Sequence, residues 1–335
     1  MDISKLAITA QAMVADNKGL LAADESTGTI GKRFDAINVI SSEDNRRDYR
    51  ELLLRAQDIE KFISGVILYD ETIRQSTTDG ISLVDLMVQK NIIPGIKVDA
   101  GAKPLSGSEN ETITEGLDGL VARVEEYVGL GAQFAKWRAV IKIGSDMPSG
   151  YAIHTNAHAL ARYAKICQEG GLVPIVEPEV LMDGDHDVEV CQHVTEETLN
   201  AVFGEIYAQG VELEAMILKP NMIIPGSDCL DTIDTLEIAD RTVATLKRCV
   251  PAAVPGIMFL SGGQSEADAT LNLNTMNAQN GNLPWKLSYS YGRALQASVL
   301  QAWKGVGDNV VSAQKALTLR AKLNSEACKG NYLGE

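Results

Sequence analysis

Long apolar runs, paired cysteines, a basic excess and low-complexity tracts are all missing from this chain, and each absence narrows what it can be. No apolar stretch approaches the ~18 residues a membrane-spanning helix needs, so no such helix is expected. The N-terminus, MDISKLAITAQAMVADNKG, lacks a basic flank ahead of an apolar segment. Its hydrophobic positions Ile3, Leu6, Ala10, Met13 and Val14 fit a helix over about 2–17 better than a signal peptide. The five cysteines (Cys167, Cys191, Cys229, Cys249 and Cys328) are odd in number, scattered and without a CxxC pair. That argues against structural disulfides and a zinc knuckle. The net charge of −15 repels nucleic acid and anionic lipid at long range, so neither is an expected partner. The expectation is a soluble protein of a reducing compartment, the cytoplasm, with a processed plastid form also compatible. An acidic protein that binds an anion must gather its cations locally, so the positions of lysine and arginine carry information.

What is present is a rhythm. Eight short apolar runs recur: GLLAAD (19–24), GVILYD (65–70), IPGIKVD (93–99), AQFAKWR (132–138), LVPIVEPE (172–179), LEAMILKP (213–220), GIMFLSGG (256–263) and WKLSYSYG (285–292). Most are continuous rather than alternating, as in strands covered on both faces. Helical patterns lie between them. Thr114 is read as capping a helix through Leu117, Leu120, Val121, Val124 and Val128, and Thr195 as capping one through Leu199, Val202, Phe203 and Ile206. Ser41 and Asp44 have capping-box-like spacing, and residues 153–168, 235–249, 265–280 and 292–304 read as further helices. Strand–helix alternation implies parallel pairing with right-handed crossovers. Eight units point to an α/β fold of the closed (β/α)8 barrel type, one domain over 1–335, with a doubly wound sheet as the alternative. The stretch from about 318 to 335 reads as a polar, partly mobile tail.

In such a barrel the chemistry gathers at the carboxyl ends of the strands. Those ends read Asp24, Asp70, Lys97, Lys136 with Arg138, Glu177 with Glu179, Lys219, Ser261-Gly262-Gly263, and Ser290 before Gly292-Arg293. A lone lysine at a strand end is usually ion-paired or snorkelling. Three lysines sharing a rim with four acids are another matter, because burial favours the neutral, nucleophilic amine that attacks carbonyls. Lys219, preceded by the wholly apolar AMIL, is the best nucleophile candidate. Glu177 and Glu179 sit two apart and so share a face; they are either salt-bridge partners for the lysines or an acid/base pair. Asp24 can hold an ammonium, orient a hydroxyl or cap the next helix.

The glycine-bearing strand-to-helix junctions FLSGGQSE and SYSYGRALQ suit a phosphate, with Arg293 in the first turn of the second helix. Ser26, Thr29, Lys32 and Arg33 offer a second anion site. Two anion sites flanking such a lysine suggest a sugar bisphosphate. His154 and His158 are four apart without an evident third ligand, and His186 and His193 fall in an acidic region where solvated or ion-paired roles are expected. Asp183, Asp185 and Asp187 lack EF-hand spacing. Neither a metal nor an organic cofactor is expected.

The motifs GLLAADESTGTIGKR, GIKVD, FAKWR, VPIVEPE, LKPNM, FLSGGQSE and SYGRALQ, in collinear order from about Gly19 to Tyr332, resemble the class I fructose-1,6-bisphosphate aldolases. The resemblance implies a (β/α)8 barrel, a homotetramer and metal-independent Schiff-base cleavage of fructose 1,6-bisphosphate. It implies that Lys219 is the Schiff-base lysine, Glu177 the principal acid/base, and Asp24 and Lys136 a supporting pair with Glu179 nearby. It also implies that Ser261, Gly262, Gly263, Ser290, Gly292 and Arg293 hold one phosphate, and that Ser26, Arg33, Arg46 and Lys97 supply the remaining contacts. Thr29 stands where animal members have serine. Those members carry a longer C-terminal tail ending in a tyrosine linked to enamine protonation, whereas this sequence ends at Glu335. Other Schiff-base lyases or transaldolases, and a catalytically silent scaffold for cytoskeletal partners, are the alternative readings.

Overall fold

All eight apolar runs form strands in the computed structural model, which describes residues 2–279 and 281–335. The strands are β1 (Gly19–Ala23), β2 (Ile63–Leu68), β3 (Ile93–Lys97), β4 (Phe134–Ile141), β5 (Val173–Val180), β6 (Ile217–Leu218), β7 (Gly256–Phe259) and β8 (Lys286–Tyr291). Each pairs in parallel with its neighbour, and Leu20 against Ser290 and Leu21 against Tyr291 close the ring. Every residue of β1, β2 and β5 is buried, which is why these runs alternate so little.

Alternation survives on β4 in a different form. Ala135, Trp137 and Ala139 join the core between barrel and helices, whereas Phe134 belongs to the barrel interior and Lys136 and Arg138 line the cleft at its mouth. The interior is thus layered along its axis. Its lower part is apolar, with Leu20, Ile67, Phe134, Ile175, Ile217 and Met258 packed together. A Cβ on Gly95 would lie 2.1 Å from the Phe134 ring, so this strand position must be glycine for the ring to fit. Leu6, Ala10 and Met13 of the N-terminal helix (Ile3–Met13) join the same cluster and close the lower end.

Several helix boundaries depart from the sequence reading. The helix Leu120–Gly129 begins at Gly119, and Thr114 instead ends a hairpin formed by Ala102–Pro104 and Thr112–Thr114, with its hydroxyl donating to the Arg138 carbonyl at 2.7 Å. Thr195 lies inside the helix Val188–Ala208, which Asp187 caps by accepting from Val190 N–H at 2.8 Å. Ser42, not Ser41, caps the helix Glu43–Leu54. The other expected helices form as Gly150–Gly170, Thr235–Cys249, Glu266–Gln279 and Arg293–Trp303; Asn280, at the end of one expected helix, lies outside the described residues. The stretch read as a polar tail is helical through Cys328, within Val310–Cys328, and buries Arg320, Ala321 and Asn324 against the barrel's helical layer. No helix among the described residues is long and apolar enough to cross a membrane.

Candidate active site

The carboxyl ends of the strands open into a cleft of about 730 Å³ lined by seven lysines and arginines and five carboxylates. A local cationic excess in a chain of net charge −15 marks this mouth as the place for an anion. Strand register explains the convergence. Lys97 lies opposite Lys136 on β3 and β4, and Arg138 lies opposite Glu177 on β4 and β5. Lys219, immediately after β6, donates its backbone N–H to Val176 at 2.8 Å and so continues the strand.

At the centre, Glu177 bridges two buried lysines. Its Oε1 lies 3.0 Å from Lys219 Nζ and its Oε2 lies 3.2 Å from Lys136 Nζ, and Asp24 Oδ2 meets Lys136 Nζ at 2.7 Å. The two amines therefore differ: Lys136 has two carboxylates, Lys219 one that it shares. Burial works against the Lys136 ammonium, but Asp24 and Glu177 override it and hold its pKa above the usual lysine range. Burial likewise works to raise Asp24 and Glu177, and the lysines 136 and 219 override it and hold both below the usual carboxylate range. The sign for stability follows. The stabilisation from the two acids is complete above the ordinary carboxylate range and is lost only as the pH falls through their lowered values. That from Lys136 is complete below the ordinary lysine range and is lost only as the pH rises through its raised value.

Around this centre Lys97, Arg138 and Arg33 are already engaged. Lys97 Nζ sits 2.5 Å from Asp99 Oδ1, and Arg138 pairs with Glu179 through its Nε. Asp99 also accepts the Arg138 backbone N–H at 3.3 Å. Sequence reasoning missed Asp99, although its spacing of two from Lys97 signalled a shared face. Arg33 pairs with Glu25, which is also held by Arg50 at 2.7 Å and by Gln296 at 2.9 Å. Ser26 caps the helix Thr27–Asp35, with its hydroxyl 3.1 Å from that of Thr29.

Ser261, Gly262, Ser290, Gly292 and Arg293 line the cleft at the ends of β7 and β8. The Ser290 hydroxyl is buried without a hydrogen-bond partner, which leaves it available to the cleft. Gly262 has φ +58, a left-handed conformation that favours glycine. A Cβ on Gly292 would lie 3.9 Å from Arg33 Nη2, so closure of the barrel between β8 and β1 sets the two expected anion sites side by side.

Three expected positions fall elsewhere. Arg46 is not among the cleft residues; it donates to Glu71 through Nε at 2.8 Å and to the Ser41 carbonyl at 2.6 Å. Gly263 also lies outside the lining, its N–H given to Met182 Sδ. Asp70 begins a short helix and accepts from Arg74 and Tyr127. Among the histidines, His154 and His158 lie on a helix surface against Glu205, and His193 is exposed. His186 departs from its expected solvated role: it is buried, neither ring nitrogen has a partner, and burial lowers its pKa despite Asp185 and Asp187. Among the described residues no group of three or more His, Cys, Asp or Glu side chains is arranged to hold a metal ion.

A lysine bridged to a carboxylate inside a barrel serves several Schiff-base chemistries, and comparison with known proteins decides among them. The family model described as fructose-bisphosphate aldolase class-I matches residues 5–335. The chain belongs to the class I fructose-bisphosphate aldolase family. As a member of that aldolase family it is a lyase. It is 56% identical over 335 residues, all of both chains, to a probable fructose-bisphosphate aldolase class 1 of Xanthomonas campestris. It is 56% identical over 318 residues, 95% of this chain and 81% of the relative, to cytosolic fructose-bisphosphate aldolase 4 of Arabidopsis thaliana. Its barrel superposes with TM-score 0.98 at 50% identity on the aldolase of Plasmodium falciparum solved with TRAP and a small-molecule inhibitor, covering 99% of this chain and 96% of that one.

Proposed function

We propose that this lyase cleaves fructose 1,6-bisphosphate reversibly to dihydroxyacetone phosphate and glyceraldehyde 3-phosphate through a Schiff base on Lys219. The observation that carries the reading is the Glu177 bridge between Lys219 and Lys136. Proton transfer across the 3.0 Å contact from the Lys219 ammonium to Glu177 yields a neutral amine and a carboxylic acid in one step. The amine attacks the C2 ketone. The acid then protonates the departing hydroxyl of the carbinolamine, water leaves, and an iminium remains. Lys136, kept charged by its two carboxylates, steadies the oxygen as it departs. The iminium nitrogen accepts the electrons of the C3–C4 bond while a carboxylate of the pair Glu177 and Asp24 takes the C4 hydroxyl proton. The aldehyde product leaves first. Protonation and hydrolysis of the enamine release dihydroxyacetone phosphate and restore the lysine.

One phosphate is assigned to Ser261, Gly262, Gly263, Ser290, Gly292 and Arg293. The second is assigned to Ser26 and Thr29, at the N-terminal turn of a helix, with Lys97 from the end of β3. Holding both ends fixes the reacting carbons over Lys219, an orientation effect that lowers a barrier by up to ~7–11 kcal/mol. Glu179 keeps Arg138 facing the cleft. A cytoplasmic homotetramer is proposed alongside, its location supported by the cytosolic relatives and its assembly by likeness to the family.

Borohydride reduction in the presence of fructose 1,6-bisphosphate, followed by peptide mapping, is the direct test. The adduct is expected on Lys219, with turnover intact in EDTA because the iminium serves as the electron sink. An adduct on Lys136 or Lys97 would reverse the assignment of the lysines. Arg293→Ala is expected to raise KM for the bisphosphate about 10- to 100-fold through loss of a charge-assisted contact. Steady-state kinetics check this, and an unchanged KM removes Arg293 from the phosphate site.

A further inference from the structure

The Gly262–Gly263 peptide is gripped at both of its polar atoms by side chains from other parts of the rim. Its carbonyl oxygen accepts a hydrogen bond from Arg293 Nη2. Its N–H donates to Met182 Sδ at 2.9 Å. Met182 belongs to the loop after β5, and its sulfur packs so closely that a Cβ on Gly263 would sit 2.5 Å away. That loop is anchored in turn. The Met182, Gly184 and His186 carbonyls accept the N–H groups of Ser227, Asp228 and Gly226 at 2.6, 2.8 and 2.8 Å. The methionine is therefore presented to the glycine loop by a stitched pair of loops.

A phosphate on residues 261–263, the reading proposed above and on which this inference rests, makes demands on the same peptide. Arg293 can meet it without conflict, because a guanidinium has five donors and only one is spent on Gly262. An amide N–H has a single hydrogen. Given to sulfur, it is not available to a phosphate oxygen. Thioether sulfur is a weak acceptor and an anionic oxygen a strong one, so the exchange runs in favour of the phosphate but at the cost of the existing bond.

We propose that Met182 is a positioning residue that competes with the substrate's phosphate for the Gly263 N–H, so that binding displaces the thioether and recruits Gly263 to the site. This accounts for Gly263 lying outside the cleft lining while its neighbours Ser261 and Gly262 lie within it. Met182 thereby tunes affinity for the phosphorylated end of the sugar without touching the reacting carbons.

Two substitutions of opposite sign test it. Met182→Leu keeps the side chain's bulk and removes the acceptor. Met182→Gln keeps its length and supplies a stronger acceptor. KM and kcat for fructose 1,6-bisphosphate are measured for both, with the competitive inhibition constant of inorganic phosphate and with Arg293→Ala in parallel. The leucine variant is expected to lower KM and the phosphate inhibition constant about two- to tenfold, the worth of one modest hydrogen bond. The glutamine variant is expected to raise both, and kcat to stay constant in each, as for a contact shared by ground and transition states. A KM unchanged or raised in Met182→Leu, or a shift of the same sign in both variants, overturns the proposal. If Arg293→Ala raises KM while both Met182 variants are silent, the inference fails and the phosphate reading stands. If Arg293→Ala is silent too, both fall.

Discussion

Lys219→Ala is expected to abolish covalent trapping of the substrate and to lower kcat by about 10⁴-fold or more, the scale seen when a nucleophile that acts as part of a unit is removed. The loss is chemical rather than structural. Glu177 retains Lys136 at 3.2 Å, so no buried carboxylate is left without a counter-charge, and Lys136 retains Asp24 at 2.7 Å. The variant is therefore expected to unfold at close to the wild-type temperature. It is also expected to bind the bisphosphate, since the proposed phosphate contacts lie on other elements. Mass spectrometry after borohydride treatment reads the first effect and thermal unfolding the second. A variant that still carried a reduced adduct in normal yield would show that another amine does the work. Lys136 is the rival that shares Glu177 with it, and its two carboxylates argue against it.

The second large effect is expected at Glu177. Glu177→Gln keeps the shape of the side chain but can neither take a proton from Lys219 nor return one to the departing hydroxyl. A loss of about 10²- to 10⁴-fold in kcat follows from removing general acid–base catalysis. Unlike Lys219→Ala, this variant should still be trapped by borohydride, only more slowly, because the nucleophile is intact. The resting ionisation matters here. Glu177 is held below the usual carboxylate range by Lys136 and Lys219 despite its burial, so at neutral pH it begins as a base and becomes an acid only by accepting the lysine's proton. Single-turnover trapping rates check the assignment; a wild-type rate in the glutamine variant would transfer the role to Asp24.

Much of this architecture was legible from residue order. The eight strands could be read because each is a buried run ended by polar residues, glycine or proline. The convergence of Asp24, Lys136, Glu177 and Lys219 could be read because strand ends of such a barrel share one rim. Helix starts were less legible. Thr195 looked like a cap because an apolar face follows it, but Asp187 had begun the same helix earlier. Thr114 was misplaced because strands of three residues leave no alternation to read. Arg46 and Gly263 illustrate a different limit. Their placement depends on Glu71 and Met182, partners distant in sequence, and no local pattern reports such contacts. His186 belongs here too, since an acidic neighbourhood in sequence did not mean an exposed one in space.

The sealed lower end of the barrel has a bearing on traffic. With Leu6, Ala10 and Met13 packed into the apolar floor, nothing passes through the molecule from below. Among the described residues, the way to Lys219 is the cleft at the strand ends. On the proposed mechanism the half of the sugar bonded to Lys219 stays until hydrolysis, so the free aldehyde departs past it. The order of release is then a matter of plumbing: the untethered fragment clears the doorway, water follows it in, and the tethered fragment goes last.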